Sequence, residues 1–209
     1  MVEVMLPPLV VIRKVGSEPF RVGRTDLGFD VLSFWQWSGS DLISNALRGR
    51  LAEFLVAQAL GIADGLRVEW DAYDLRTRQG LTIEVKSAAY IQTWSQKAHS
   101  LISFDIAPTR LWDAATNELA TEPCRQAELY VFALLAHRDK TTIDAMDLSQ
   151  WEFYELPKAI LDARLPKQKR LALSSLLRLE PLRSSFGELS RAIEIVAGGL
   201  PICSQGLPV

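Results

Sequence analysis

Apolar residues recur at helical spacing through residues 41–60, in the run DLISNALRGRLAEFLVAQAL. Intervals of three and four residues between apolar positions predict an amphipathic helix. Ser40 or Asp41 is the expected N-cap, and Gly61 lies where a helix commonly ends. At 1.5 Å per residue, the predicted helix is about 30 Å long.

One stripe of this predicted helix consists of small residues and a single acid. Ala46, Gly49, Glu53 and Ala57 follow one another at three- and four-residue spacing. Small side chains allow a helix to approach a sheet closely, so we expect Glu53 to point into the seam between them. A carboxylate in that seam needs a partner or a metal ion. Pairing with Arg50 on a solvated helix surface is the alternative.

The next segments alternate or cluster apolar residues in the way that β-strands do. Two β-prone runs, LRVEWDAYDLRT (66–77) and LTIEVKSA (81–88), flank residues 78–80. This arrangement predicts a hairpin with Gly80 at a position that favours positive φ. SLISFDI (100–106) predicts a further strand, and the apolar run AELYVFALLAH (127–137) predicts a strand that is buried on both faces.

The C-terminal third shows one more strand pattern and two helical ones. WEFYEL (151–156) predicts a strand, whereas PKAILDARL (157–165) and FGELSRAIEIVAG (186–198) have helical spacing. LALSSLLRL (171–179) leaves open whether the sheet continues or a separate lobe forms. We divide the chain into an N-terminal extension (1–40), a core (41–140) and C-terminal additions to the same domain (141–209).

Composition narrows the class of protein. The 209 residues are 48% hydrophobic, which is enough for one sizeable core and excludes a disordered or fibrous chain. With 23 Lys+Arg against 25 Asp+Glu, the formal net charge is −2, so any contact with nucleic acid must be a local patch. Cys124 and Cys203 lie far apart, without metal-ligand spacing, which favours reduced thiols. No run approaches the ~20 apolar residues of a membrane span, and the start lacks a basic leader, so we expect a cytoplasmic protein that does not contact membranes.

The candidate chemistry lies in the run T-I-E-V-K. Because side chains alternate along a strand, Thr82, Glu84 and Lys86 share one face, while Ile83 and Val85 take the other. An acid and a base therefore point together on one face of the predicted sheet. Taken alone, the pattern also fits an ordinary solvated strand face.

Asp74 joins this face if the hairpin loop has three residues. Strand partners then place Asp74 directly opposite Glu84, with Cβ atoms roughly 5 Å apart. Directly opposed like charges destabilise a sheet by ~0.2–1 kcal/mol, and a divalent cation would remove that repulsion. Mg²⁺ suits one or two carboxylates plus waters and leaves positions for a phosphate. We therefore expect Asp74 and Glu84, with Glu53 as a third carboxylate, to hold Mg²⁺.

The order of these features resembles the PD-(D/E)xK nuclease superfamily, to which restriction endonucleases and archaeal Holliday-junction resolvases belong. The resemblance covers roughly residues 41–137: a helix with Glu, an Asp at a strand end, E-V-K about ten residues later, then two more strands. It assigns Asp74 to the PD aspartate, Glu84 and Lys86 to the (D/E)xK pair, and Glu53 to the additional helix glutamate. It implies an α/β, restriction endonuclease-like core, in which a mixed β-sheet is flanked by helices.

Two positions near the motif refine the resemblance. Tyr73 precedes Asp74 where the motif name has Pro, which is a departure from the pattern. Several branches of the superfamily place a Gln shortly after the lysine. Gln92 and Gln96 are candidates for that substrate-contacting position.

The resemblance implies a Mg²⁺-dependent endonuclease, for which Mn²⁺ can substitute, that hydrolyses phosphodiester bonds in nucleic acid, with DNA favoured over RNA. Asp74, Glu84 and Glu53 would be the metal ligands, and Lys86 would stabilise charge in the transition state. A homodimer is compatible with this prediction. The alternatives are a catalytically inert nucleic-acid-binding or protein-interaction module of the same fold, and an unrelated α/β protein in which these residues are surface charges.

Cations near the predicted site are candidates for binding the phosphate backbone. Arg76 and Lys97 flank the site in sequence, and RLPKQKR (164–170) is the densest basic run, with four positive charges in seven residues. A solvated charged face is the alternative interpretation of that run.

Overall fold

The computed structural model describes residues 9–67, 72–110, 112–113 and 118–200. The chain divides into two compact units, Met1–Asp41 and Leu42–Val209. Part of the predicted run 66–77 and Cys203 lie outside the described residues, whereas Cys124 is a free, exposed thiol.

The first unit contains a β-hairpin followed by a short helix. Strands β1 (Pro19–Val22) and β2 (Thr25–Asp30) pair antiparallel, and helix α1 spans Val31–Gly39. Asp30 caps this helix, because its Oδ1 accepts the Ser33 amide hydrogen at 2.8 Å. Capping by the last residue of β2 explains why the chain turns directly from strand to helix.

The second unit carries the larger core and the candidate site. Its helices and strands, in chain order, are α2 (Asn45–Ala59), β3 (Leu75–Arg76), β4 (Thr82–Ala89), β5 (Ser103–Asp105), β6 (Trp112–Asp113), β7 (Glu118–Leu119), β8 (Leu129–Leu135), β9 (Trp151–Pro157), α3 (Lys158–Arg164), β10 (Arg170–Ala172), α4 (Leu173–Leu177), β11 (Leu182–Ser184) and α5 (Leu189–Gly198). A short 3-10 helix, Leu148–Gln150, precedes β9.

Five of the strands form one mixed sheet in the order β11-β9-β8-β4-β3. The pair β4 and β8 is parallel, and the other neighbouring pairs are antiparallel. All seven residues of β8 are buried, as the continuous apolar run predicted. The predicted strand at 151–156 is confirmed as β9, which lies beside β8 in this sheet.

Helices cover both faces of the sheet. On one face, α2 and α5 pack on residues such as Val85 and Val131. On the other face, α3, α4 and the β5-β10 pair pack on Tyr130 and Phe132. The prediction of an α/β fold with a mixed sheet flanked by helices is confirmed. Glu84 and Lys86 belong by alternation to the second face, so α2 lies across the sheet from them.

The structure corrects the predicted start of α2 and the face that it buries. The helix begins at Asn45 rather than near Asp41, because the buried Arg48 guanidinium donates to Ile43 O and Asn45 Oδ1, both at 2.7 Å. This contact fixes the preceding segment as a turn.

Most of the stripe that was expected to face the sheet lies to one side of that contact. Ala46 is exposed and Gly49 is half-buried, although Ala57 is buried, whereas Ala52 and Val56 are fully buried. The side of α2 that meets the sheet is therefore centred on Ala52 and Val56.

The predicted strand at 100–106 is shorter and pairs elsewhere than in the main sheet. β5 covers only Ser103–Asp105 and pairs antiparallel with β10. Asp105 pairs with Arg170, which lies 65 residues later in the chain. Within the stretches that the structure describes, no helix combines the length and the apolar character needed to cross a bilayer.

Candidate active site

The β3-β4 hairpin sets the geometry of the candidate site. Leu75 pairs with Ile83 and Arg76 with Thr82, which is the register expected from a three-residue loop. Gly80 has a φ of 96°, the left-handed conformation that the turn favours and that glycine adopts without strain. The regular ladder ends at Leu75, and the Asp74 amide donates to Ile83 O at 3.1 Å, one residue out of the ladder register. Asp74 therefore lies beside residues 83–85 of β4, near Glu84, whose charge acts on it.

Asp74 is held at the edge of the sheet by its own carboxylate. Its Oδ2 accepts the Val85 amide hydrogen at 2.7 Å. Burial, and after it the negative charge of Glu84, together raise the pKa of Asp74 to about 7, although the Val85 hydrogen bond opposes both effects. Burial and the repulsion between the Asp74 and Glu84 carboxylates therefore both disfavour the ionised form of Asp74. A positive charge beside the pair would stabilise the ionised form of each carboxylate.

Lys86 supplies one such positive charge. Its Nζ donates to Glu84 Oε1 at 2.5 Å, and both side chains are partly buried. Burial alone would lower the pKa of Lys86, but the Glu84 and Asp74 carboxylates outweigh it, so the pKa is raised and the ammonium stays charged. Asp74, Glu84 and Lys86 are therefore one electrostatically coupled group, as the sequence predicted.

Tyr130 and Asp105 belong to the surroundings of this group, although sequence reasoning did not select them. Tyr130 is the parallel-strand partner of Glu84 and is buried, and burial together with the Glu84 charge raises the pKa of its hydroxyl. Asp105 on β5 lies close enough for its charge to contribute to the raised pKa of Lys86. The positions of Tyr130 and Asp105 near this group result from contacts between distant parts of the chain, and a local sequence pattern does not indicate such contacts.

Glu53 has an arginine partner in this structure. Arg67 Nε donates to Glu53 Oε2, and Arg67 Nη2 donates to Oε1 at 3.1 Å. The partner comes from the loop after α2, 14 residues along the chain, and not from the helical spacing that suggested Arg50. Glu53 still lies near Asp74, because its charge contributes to the raised pKa of that residue.

The donor set suits a divalent cation held by two carboxylates. Asp74 and Glu84 offer oxygen ligands that repel each other, which is the chemistry that Mg²⁺ relieves. Among the described residues, no group of three or more His, Cys, Asp or Glu side chains is arranged to hold a metal ion. In this structure, therefore, Glu53 does not complete a common ligand set with Asp74 and Glu84.

The two candidate glutamines organise the loop that follows β4. Gln92 is buried, and its backbone amide donates to the side-chain Oε1 of Gln96 at 2.6 Å. Gln96 Nε2 donates to Tyr90 O and to Ser100 Oγ, each at 3.1 Å. The Oε1 atom of Gln92 is buried without a hydrogen-bond partner among the described residues. These contacts give both side chains a part in shaping the loop.

The two candidate cations lie at the surface. Arg76 is the exposed last residue of β3, two residues after Asp74 in the chain. Lys97 is exposed in the loop after β4. Both side chains are accessible to a polyanion.

Comparison with known protein families finds a match over more than half of the chain. Residues 29–167 match the family model described as bacteriophage T4 endonuclease IV. The matched span includes every candidate site residue from Glu53 to Lys97. No curated protein sequence matches the chain.

Proposed function

The chain belongs to the bacteriophage T4 endonuclease IV family, and from this membership we propose that it is a metal-dependent endonuclease that hydrolyses phosphodiester bonds in DNA. We place its active site at Asp74, Glu84 and Lys86. Family membership supports a nuclease acting on nucleic acid. The metal requirement, the residues and the preference for DNA over RNA are the proposal.

One observation carries the assignment of the site. The Asp74 carboxylate accepts the Val85 amide hydrogen beside Glu84, and burial together with the charge of Glu84 raises the pKa of Asp74 to about 7. Perturbed carboxylates that are grouped with a charged lysine are typical of functional sites. A protein that needed only stability would gain by separating these like charges.

Each residue has a distinct part in the proposed mechanism. Asp74 and Glu84 would hold Mg²⁺ or Mn²⁺, which when bound activates water and offsets the charge of the scissile phosphate. The Val85 amide fixes one oxygen of Asp74, so that its carboxylate keeps one orientation. Lys86, held by Glu84, presents a permanent positive charge to the negative charge that develops on the phosphate. Glu53 adds negative potential nearby, although Arg67 offsets much of it.

We further propose that the core is of the PD-(D/E)xK type. Support comes from the order of elements around the site: α2 with Glu53, the hairpin with Asp74 and the E-V-K strand, and β8 parallel to β4. Tyr73 stands where the motif name has Pro, and the Asp74 carboxylate accepts the Val85 amide hydrogen at 2.7 Å with Tyr73 in that place.

A cleavage assay tests the proposal. The unmutated protein and the Glu84→Ala/Lys86→Ala double variant would be incubated with single-stranded, duplex and branched DNA and with RNA, in Mg²⁺, Mn²⁺ or EDTA. We expect cleavage only of DNA and only with metal, and a loss of at least about 100-fold in the double variant. The control Arg191→Ala/Glu194→Ala removes one charge of each sign from the exposed face of α5 and should cleave normally.

Cleavage that persists in EDTA or in the double variant would show that the active site lies elsewhere. Absence of cleavage together with absence of Mn²⁺ binding in calorimetry would favour the catalytically inert module of the same fold.

A further inference from the structure

A cavity of about 380 Å³ opens beside the candidate active site. It lies between the second half of α2, the loop after this helix and the start of β3. Asp74 and Glu53 both line it, so whatever enters the cavity lies next to Asp74, one of the two proposed metal-binding carboxylates.

One wall of the cavity is apolar and accessible. Phe54 and Leu66 line it, although they are 49% and 45% exposed, respectively. Ala57 and Ile62 continue the same wall. Large apolar side chains that border a concave site are typical of ligand binding, because a flat apolar group can cover them.

The remainder of the lining is strongly charged. Arg50, Arg67 and Arg76 share the cavity with Glu53 and Asp74. Arg67 pairs with Glu53, and the exposed Arg76 brings a further guanidinium group to the lining. An apolar wall beside arginines matches a ligand with a flat ring at one end and an anion at the other.

The volume limits the ligand to one such group. Small-molecule sites range over roughly 300–1,000 Å³, and this cavity lies at the small end of that range. It has room for a single nucleotide rather than a base pair. Enzymes that do chemistry on a base hold one nucleotide out of the stack in such a pocket, which shows that a protein cavity can take a single nucleotide.

We propose that this cavity binds one nucleotide of the substrate, with its base against Phe54 and Leu66 and its phosphate towards Arg76. The proposal rests on the proposed nuclease function and extends it, because it assigns a nucleotide-binding subsite next to the cleaved bond. The nucleotide in the cavity is then the position at which the identity of the base affects binding.

The test measures nucleotide binding directly and without metal. The four deoxynucleoside 5′-monophosphates, and 2-deoxyribose 5-phosphate as the probe that lacks a base, would be titrated into the full chain and followed by calorimetry at millimolar concentration. We expect the nucleotides to bind and the sugar phosphate to bind at least about tenfold more weakly, because base stacking supplies much of the affinity.

Two variants alter the cavity in opposite ways. Phe54→Ala removes the wall and should weaken nucleotide binding about fivefold or more. Ala63→Trp, at a half-buried lining position, fills the space and should abolish binding. Ile195→Ala, an exposed apolar residue of α5, and Ala46→Trp, an exposed position of α2, are matched controls that should bind as the unmutated protein does. Thermal unfolding of each variant verifies that it is folded.

The outcomes separate this proposal from the proposed function. No nucleotide binding, equal binding of the sugar phosphate, or full binding by folded Ala63→Trp would overturn the cavity assignment, even if the protein cleaves DNA. Nucleotide binding that is lost in Ala63→Trp, in a protein that cleaves no nucleic acid, would uphold the cavity and overturn the nuclease.

Discussion

The carboxyl groups of Asp74 and Glu155 both have pKa values raised to about 7. Their surroundings differ, so the cost of the buried charge is relieved in different ways at the two sites. Asp74 faces a second carboxylate and lines an open cavity, so a cation can reach and stabilise its ionised form. Glu155 is completely buried in β9, where Ser184 Oγ donates to its Oε1 at 2.7 Å and Oε2 has no hydrogen-bond partner among the described residues. Only a proton can relieve the cost of that buried charge.

Glu155 should therefore make stability depend on pH. Its folded pKa of about 7 lies above the ordinary glutamate value of 4.5, because burial disfavours the charged form. The stabilisation from the neutral form is complete below about pH 4.5 and is lost as the pH rises through 7. Glu155→Gln, which mimics the neutral acid, should be more stable than the unmutated protein at pH 8 and closer to it at pH 5. Urea unfolding at both pH values measures this, and a constant difference would contradict the burial argument.

Asp74 and Glu53 should contribute unequally to activity. Asp74 shares its place with Glu84, whereas the charge of Glu53 is offset by Arg67 through two contacts. We expect Asp74→Asn to lose at least about 100-fold in metal-dependent cleavage, and Glu53→Gln to stay within about tenfold of the unmutated protein. Rates at saturating and at limiting Mn²⁺ measure both effects. Equal losses would mean that Glu53 leaves Arg67 and becomes a ligand in the working enzyme.

At the scale of secondary-structure elements, a single buried arginine connects segments that are distant in sequence. Arg125 is 3% exposed, and its guanidinium donates to Ile106 O at 2.9 Å, to Asp162 Oδ1 at 2.7 Å, to Leu165 O at 2.9 Å and to Gln168 O at 3.1 Å. Ile106 directly follows β5, Asp162 lies in α3, and Leu165 and Gln168 lie in the loop after α3. The planar guanidinium thus holds β5, α3 and this loop together on the same face of the sheet as Lys86.

Replacing this arginine by lysine should be costly, because an ammonium group cannot reach four acceptors that were arranged for a guanidinium. We expect Arg125→Lys to lower the free energy of unfolding by about 2–4 kcal/mol, since buried carbonyl groups lose their donors. Arg183→Lys is the matched control: Arg183 pairs with Glu152 at 2.6 Å, but its side chain is 63% exposed, so its loss should stay below about 1 kcal/mol. Urea denaturation measures both variants, and similar losses would show that Arg125 is not a structural tie.

Elements with a strong local pattern were predictable from the sequence, and contacts between distant segments were not. The apolar run of β8, the helical spacing of α5 and the three-residue hairpin loop each follow from neighbours in the chain. The hairpin loop also brings Asp74 to β4, where its carboxylate accepts the Val85 amide hydrogen. In contrast, the pairing of β5 with β10 and the contact of Arg67 with Glu53 join segments through space, and no spacing rule indicates them. The buried Arg48, which sets the start of α2, also carries no local signal of its burial.

For the whole molecule, a net charge of −2 means that nucleic acid must be attracted by a local group of cations. The run 164–170 provides one, because its four basic side chains are exposed while Arg125 holds the backbone of the same loop from beneath. The strand pairing also places this run near the candidate site: Arg170 pairs with Asp105, and the Asp105 charge acts on Lys86. A phosphate backbone bound along the run would therefore pass close to Lys86.

The salt dependence of binding tests whether these cations contact phosphates. Each phosphate contact contributes about 0.9 to the slope of log affinity against log salt concentration for duplex DNA, and about 0.7 for a single strand. Lys167→Ala/Lys169→Ala should therefore weaken binding for every sequence and reduce the slope by about 1.4–1.8, if both lysines touch the backbone. Arg191→Ala, on the exposed face of α5, should leave the slope unchanged. Fluorescence anisotropy with labelled DNA in EDTA measures the slope without cleavage, and an unchanged slope in the double variant would show that this basic run is only a solvated surface.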